Sequence, residues 1–392
     1  MPSQVSTDKS YLYPGGANAN SGNVWSYSNS GAVIVKKISS TTALILWSPI
    51  DTTGNALQNL KAVVATVSAG VITYGTAVTV YTGTTNGLTN FGAVVLSSTA
   101  ALVIVDKSST VASSVYPLVL SGNSITVGTT SASFGPTSGT HALSDICYLS
   151  ATTAMISYVG AVATTNGLRA VTVTHNGSSA PTLSTAVTIN ANIGNINRLI
   201  PLTSTTCQLL YQTASVGTMS TVVITSTGGS TAPTLGTAIL TSWSQYSSGN
   251  DNIYSPIGYA YSSTETAVLI GPNNQISFTI SGTTITEQAY TNLYGGPNSF
   301  TANNQQWGSI AWFSSTQGVY LKTAGPAYAT MLSTLMPVSY TVGTGINGGD
   351  SNVTTPTING YGLGAIDMLD STTAIAVIPY AKGLQAEVVT LL

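Results

Sequence analysis

Four aspartates in predicted connections between strands are the residues best suited to catalysis: Asp51, Asp106, Asp251 and Asp350. Two carboxyl groups held about 5 to 10 Å apart can cleave a glycosidic bond as acid and base or nucleophile. None of the four lies in a recognisable acid–base motif. Asp51, in Ser48-Pro-Ile-Asp-Thr-Thr-Gly54, is more typical of a turn. Polysaccharide cleavage is therefore an alternative function, and we expect no catalytic residue.

Motifs for metal binding and nucleophilic catalysis are also sparse. The two histidines, His141 and His175, are too few for most histidine-based metal or triad sites. The sequence has no G-x-S-x-G, H-E-x-x-H or phosphate-binding glycine motif. Asn250-Asp-Asn252 and Gly348-Gly-Asp-Ser-Asn352 offer oxygen ligands that suit calcium, but their spacing matches no EF-hand and ordinary polar loops are favoured. We expect neither a metal nor a cofactor.

Cys147 and Cys207 both occur in strand-like segments. Free cysteine is among the residues most often buried in protein cores. Two cysteines in a chain of 392 residues make no disulfide framework, and their spacing matches no metal motif. The sequence therefore predicts two buried thiols.

Aromatic residues are the best candidates for ligand binding. Exposed aromatic rings stack on sugars and anchor protein interfaces. The alternative is that they pin long loops to the sheet edges, and Trp47 and Trp312, in predicted strands, are expected to be packing residues. The candidate binding residues, in two predicted loops, are Trp243, Tyr246, Tyr254, Tyr290, Tyr294 and Trp307.

Charge is scarce in this chain. Only 5% of residues are charged, and nine basic groups nearly balance eleven acidic ones. Nucleic-acid binding needs clustered Lys and Arg, whereas the longest basic run is Lys36-Lys37. The apolar runs are shorter than the roughly 20 residues that span a bilayer, and the N-terminus MPSQVSTDKS does not look like a secretory signal. We expect no nucleic acid, membrane span or secretory signal.

One unit recurs seven times along the chain. Each copy has an apolar residue, a short Ser-rich turn, a threonine and then a β-forming run, and the copies are 52 to 59 residues apart. A period of this length is typical of a propeller or an array. The seven threonines are Thr41, Thr99, Thr152, Thr205, Thr264, Thr316 and Thr372.

Each unit contains four predicted strands, A to D, and no helical periodicity. In the second unit they are Phe91 to Leu96, Ala100 to Val105, Val115 to Leu120 and Ser124 to Thr129. The C–D turns carry Gly or Ser, as in antiparallel hairpins. The D strand repeats in wording: Val71-Ile-Thr-Tyr-Gly-Thr-Ala77, Ile125-Thr-Val-Gly-Thr129 and Leu235-Gly-Thr-Ala-Ile239.

The fold predicted is all-β, a seven-bladed propeller of four-stranded antiparallel blades in a single domain, residues 1–392. The repeats run from about residue 31, and the last one stops after its strand C at Leu392. An N-terminal strand, within residues 4–13 in preference to 24–27, is expected to complete the last blade and protect its edge.

Loop lengths distinguish the two faces of this propeller. The A–B and C–D turns are short, whereas the B–C and D–A connections vary and must emerge together on the other face, the loop face. Long loops on rigid scaffolds usually carry function. The longest are predicted at Thr241 to Ser255, Tyr290 to Trp307 and Thr341 to Tyr361.

In its low charge, its β repeats and its abundance of Ser, Thr, Gly and Asn, the chain resembles the tail and fibre proteins of tailed-bacteriophage virions. The resemblance is general and rests on no specific motif. It implies a non-enzymatic structural or host-attachment role on a particle, with other virion proteins, further copies of the chain or a host surface glycan as partners. A polysaccharide-acting enzyme and a carbohydrate-binding module are the alternatives.

Overall fold

The computed structural model describes residues 5–11, 33–48, 59–83, 88–107, 112–129, 131–135, 144–162, 165–177, 179–191, 193–213, 218–244, 257–270, 274–292, 305–325, 332–341, 345–348, 357–359, 364–380 and 383–391. Across these ranges the regular structure is entirely strand, in seven antiparallel sheets. We number these sheets as blades 1 to 7 in the order of their A strands.

The first four blades are built alike, each from strands A to D followed by a second outer segment. Blade 1 contains β2 (Val33–Lys37), β3 (Thr42–Trp47), β4 (Asn59–Ser68), β5 (Val71–Tyr74) and β6 (Val78–Thr82). Blade 2 contains β7 (Leu88–Ser97), β8 (Ala100–Lys107), β9 (Ser113–Ser121), β10 (Ser124–Val127) and β11 (Ala132–Phe134). Blade 3 contains β12 (Asp145–Ser150), β13 (Thr153–Val162), β14 (Thr165–Thr174), β15 (Thr182–Leu183) and β16 (Val187–Asn190). Blade 4 contains β17 (Ile193–Pro201), β18 (Thr206–Thr213), β19 (Thr218–Thr225), β20 (Thr234–Leu235) and β21 (Ile239–Ser244).

Blades 5 to 7 complete the ring. Blade 5 contains β22 (Ile257–Ser262), β23 (Glu265–Ile270), β24 (Asn274–Ser281) and β25 (Thr284–Asn292). Blade 6 contains β26 (Gln305–Trp312), β27 (Gln317–Gly325), β28 (Leu332–Thr341), β29 (Gly345–Gly348) and β30 (Thr357–Asn359). Blade 7 contains β31 (Ala365–Met368), β32 (Thr373–Tyr380) and β33 (Gly383–Leu391). Each A strand contacts the A strands of both neighbouring blades, so the seven blades form a closed ring.

The N-terminal strand closes the last blade, as the sequence predicts. Strand β1 (Val5–Tyr11) pairs antiparallel with β33, from Val5 opposite Leu391 to Tyr11 opposite Gln385. Blade 7 therefore has four strands in the order β1-β33-β32-β31. The alternative segment, 24–27, lies outside the described residues.

The outer edge of five blades is broken into two segments. In blade 1, for example, β5 pairs with the end of β4 and β6 pairs with its beginning. The prediction of one loop from Thr341 to Tyr361 is wrong for the same reason, because β29 and β30 lie within it and both pair with β28. A broken outer strand looks like a loop in the sequence, since its pieces are too short to show a period.

The repeated threonine marks a side-chain-supported turn between strands A and B. In all seven blades the residue two positions earlier accepts a hydrogen bond from the threonine's backbone N–H, for example Ser39 Oγ from Thr41 at 3.2 Å and Asp370 Oδ1 from Thr372 at 2.8 Å. In blades 1 to 5 the threonine carbonyl also accepts a backbone N–H at the end of strand C or just after it, as Thr41 does from Val67 at 2.8 Å. Short hydroxyl or carboxylate side chains favour such turns.

The glycine repeated in the D strand lies where the outer strand breaks. A Cβ on Gly75 would lie 1.9 Å from the carbonyl oxygen of Asn123, in the C–D turn of blade 2. A Cβ on Gly236 would lie 2.5 Å from that of Thr283, in the C–D turn of blade 5. The C–D turn of one blade therefore docks on the broken edge of the preceding blade, and only glycine leaves room for it.

The core lies between the blades. Its clusters join neighbouring sheets: one holds Leu44 and Leu46 of blade 1 with Val103 and Val105 of blade 2. Another holds Ile45 of blade 1 with residues of blade 7, which seals the ring at its closure. Alternate residues of one strand thus pack against opposite neighbours, as the period of two in a strand requires.

Candidate functional site

The loop face lies at the ends of the blades where B–C and D–A connections emerge, and much of it is outside the described residues. Seven of the residues that the sequence singles out are outside the described residues: Tyr246, Tyr254, Tyr294, Asp51, Asp251, Asp350 and His141. The assignment of the other three aromatic candidates to loops is wrong, since the structure places them in strands: Trp243 in β21, Tyr290 in β25 and Trp307 in β26. Their binding role stays a prediction.

Asp106, at the loop-face end of β8, is a buried structural carboxylate. It is 1% exposed. Its Oδ1 accepts from Ser113 Oγ at 2.7 Å, and its Oδ2 accepts from Asn90 Nδ2 at 2.9 Å and from both N and Oγ of Ser144 at 2.8 Å. Burial raises the pKa of Asp106, and these hydrogen bonds oppose that rise. Because Ser144 leads into blade 3, Asp106 ties blades 2 and 3 together beneath the loop face.

A polar and aromatic cluster lies beside Asp106, between blades 1 and 2, with one buried and three half-buried members. Lys107 Nζ donates to Ser114 Oγ at 2.6 Å and lies 5.7 Å from the centre of the Tyr81 ring. The Tyr81 and Tyr116 ring centres are 6.1 Å apart. Burial lowers the pKa of Lys107 and raises that of Tyr81. We call Tyr81, Lys107, Ser114 and Tyr116 the groove cluster. Sequence analysis missed it because its members come from strands of two blades.

Around the axis, aspartates of one A strand bind the backbone of the next. Asp145 Oδ2 accepts from the Leu199 N–H at 2.7 Å, and Arg198 Nη1 lies 3.7 Å from Asp145 Oδ1. Asp367 Oδ2 likewise accepts from the Lys37 N–H at 2.8 Å, across the closure between blades 7 and 1. These carboxylates satisfy N–H groups on the free inner edges of the sheets.

Several other predictions are settled by burial. Cys147 and Cys207 are free and buried, as expected. Trp47 and Trp312 are buried packing residues, and Trp312 stacks on Tyr259 with ring centres 4.7 Å apart. His175, just after β14, is 2% exposed, and burial lowers its pKa against a backbone hydrogen bond at Ser179 that raises it.

Within the described ranges, no three His, Cys, Asp or Glu side chains converge as a metal site would require. The same part of the chain contains no helix long and apolar enough to cross a membrane.

Comparison with solved structures bears on the fold alone, since the similarities described here are far below 25% identity. A chain of the S. cerevisiae core factor aligns with a TM-score of 0.55 and 8% identity, over 98% of this chain and 61% of that one. A prolyl endopeptidase chain aligns with a TM-score of 0.50 and 10% identity, over 91% of this chain and 46% of that one. A chain from a S. cerevisiae complex of dbp5, nup159 and gle1 has a TM-score of 0.45 and 12% identity, over 99% and 96% of the two chains.

No family model matches the sequence, and no curated protein matches it. By its sheet topology the chain is a seven-bladed β-propeller, and its fold is similar to parts of both enzymes and non-enzymes.

Proposed function

We propose that the protein is a non-enzymatic structural component of a larger assembly, of the kind that builds tailed-phage virions, and that it resides on such a particle. The observation that carries the proposal is the structural role of the Asp106 carboxylate. Asp106, a carboxylate at the loop-face end of β8, is saturated by four donor groups, which belong to blade 2 and to Ser144, the residue that leads into blade 3. A carboxylate so engaged holds blades together and is closed to a substrate.

The remaining polar interactions support the same proposal. Asp145 and Asp367 bond the backbone of the next blade, and the Gly75 and Gly236 positions receive the turns of neighbouring blades. Polar side chains are thus used for rigidity. A rigid ring of low charge suits contacts with protein subunits, which rely on shape and buried apolar anchors more than on long-range attraction.

The proposal is tested by locating the chain in its native assembly. Particles from lysates in which the chain is made would be purified, labelled with antibody for electron microscopy and quantified by mass spectrometry. The expected result is a fixed copy number per particle and no release of sugars from envelope polysaccharide. A chain found free, with hydrolysis that Asp251→Ala or Asp350→Ala abolishes, would instead establish the enzymatic alternative.

The groove cluster favours a second candidate function, carbohydrate binding. Two half-buried tyrosine rings with an ammonium beside them offer stacking and hydrogen bonding to one sugar. Glycan-array binding that Tyr81→Ala or Tyr116→Ala weakens, in protein that does not associate with particles, would support it. Tyr148→Ala is the control, because Tyr148 is 42% exposed on an A strand outside the groove cluster. An unchanged glycan profile in the groove variants would exclude this site.

A further inference from the structure

The two cysteines meet across a blade interface although 60 positions separate them in the chain. Cys147 lies in β12 of blade 3, and Cys207 lies in β18 of blade 4. Both belong to the apolar cluster between these blades, with exposures of 5% and 0%. Strands β12 and β18 contact each other there, and the Cys207 side chain adds to the rise in the pKa of Cys147, so the two thiols lie near each other. Nothing in the propeller repeat requires this, since the equivalent positions of the other blades hold no cysteine.

We propose that Cys147 and Cys207 are an oxidation site, at which a peroxide closes a disulfide that joins blade 3 to blade 4. Both side chains lie in one apolar cluster between contacting strands of blades 3 and 4, so the bond joins groups that the fold already brings together. Each cysteine has the other as its available partner, because the described residues contain no third thiol and the chain has only these two.

The chemistry balances with hydrogen peroxide as the oxidant. One thiol loses its proton, and the thiolate attacks a peroxide oxygen to give a sulfenic acid. The displaced hydroxide takes up that proton and leaves as water. The second sulfur then displaces the hydroxyl group of the sulfenic acid as a second water, and the sulfur–sulfur bond forms. Two thiol hydrogens and two electrons pass from the protein to the peroxide.

Burial controls how fast this site reacts. Burial raises the pKa of the Cys147 thiol well above its usual value, and the contact with Cys207 adds to the rise. The thiolate is the reactive species, so we expect the folded protein to react slowly and to react faster when mild urea opens the interface. Once formed, the bond would close a loop of about 60 residues and raise the unfolding midpoint by about 5 °C.

The test treats the full chain with hydrogen peroxide, with and without mild urea, and separately refolds it in a buffer containing glutathione disulfide. Trapped thiols and peptides are then mapped by mass spectrometry. The expected result is one peptide pair joined through Cys147 and Cys207, with both thiols lost together and a higher unfolding midpoint.

Cys147→Ser and Cys207→Ser are the matched controls, since each keeps one thiol and can form no internal bridge. Neither should show the gain in unfolding midpoint after oxidation. Wild-type protein that keeps two free thiols after oxidative refolding would overturn the proposal. Independent oxidation of each cysteine, or disulfides formed only between chains, would overturn it as well.

Discussion

At the residue scale, the seven threonines have a physical explanation that the sequence only partly suggested. Their recurrence marks the repeat, but the hydrogen bond that maintains the shape of the turn is made by the side chain two positions before each threonine. Ser, Thr and Asp all serve there because each offers a side-chain oxygen at the right reach. The role of each turn residue was therefore hidden, although the turn's place was predicted.

Removing one of these oxygens should weaken one turn. We expect Ser39→Ala to lower the free energy of unfolding by about 1 kcal/mol, because the Thr41 N–H loses its acceptor. Urea unfolding followed by fluorescence measures this. The neighbouring Ser40→Ala, at an exposed position, should change it by less than about 0.5 kcal/mol. Equal effects of the two variants would show that the side-chain bond is unimportant.

Two substitutions of Asp106 distinguish a structural role of this carboxylate from a catalytic one. Asp106→Asn keeps an oxygen for Asn90 and Ser144 and should fold with nearly normal stability. Asp106→Leu leaves several buried donors without an acceptor and should lower the free energy of unfolding by about 3 kcal/mol or more. Circular dichroism with urea unfolding compares the two. A stable Asp106→Leu protein would contradict the structural assignment.

The lowered pKa of His175 predicts how the free energy of unfolding changes with pH. Burial lowers its pKa, so below its ordinary value near 6.5 the unfolded chain takes up a proton that the folded chain resists. The free energy of unfolding should therefore fall between pH 7 and pH 5.5, and His175→Gln should flatten that fall. His141→Gln serves as the matched histidine control. The same slope in wild type and His175→Gln would contradict this.

At the element scale, strands A, B and C and the first outer segment, such as β10, could be predicted, whereas the second outer segment could not. Strands A to C are long and apolar because neighbouring blades cover both their faces. The outer segments are short and half exposed, so a segment such as β30 carries no clear pattern. The glycine in the repeated D-strand wording was visible, but its reason lies in a turn about 50 residues away.

That docking contact can be tested at Gly75. We expect Gly75→Ala to lower the free energy of unfolding by about 2 kcal/mol, since its Cβ would meet the backbone of Asn123 and push the turn of blade 2 outward. Thermal unfolding measures this, with Thr76→Ala, at the next exposed position, as the control. Full stability of Gly75→Ala would show that the turn does not sit on the glycine.

At the scale of the whole molecule, the number of blades and the source of the closing strand were predictable because both follow from counting repeats. The Asp106 ties, the groove cluster and the pair of cysteines were not. Each joins residues of neighbouring blades, and which side chains meet there depends on how one sheet is rotated against the next. The rotation of one sheet against the next cannot be inferred from a single sequence.

The closed ring is the claim on which the rest depends, and hydrogen exchange tests it most directly. In the full chain, backbone amides of β1 and β33 should be protected together, because the two strands pair along seven positions. Deleting residues 1–11 should remove the protection of those β33 amides that face β1, while the β33 amides that face β32 stay protected. Deleting residues 1–4 should leave both sets protected. Rapid exchange throughout β1 in the full chain, or unchanged protection of the β1-facing amides of β33 after the longer deletion, would contradict a ring closed by the N-terminal strand.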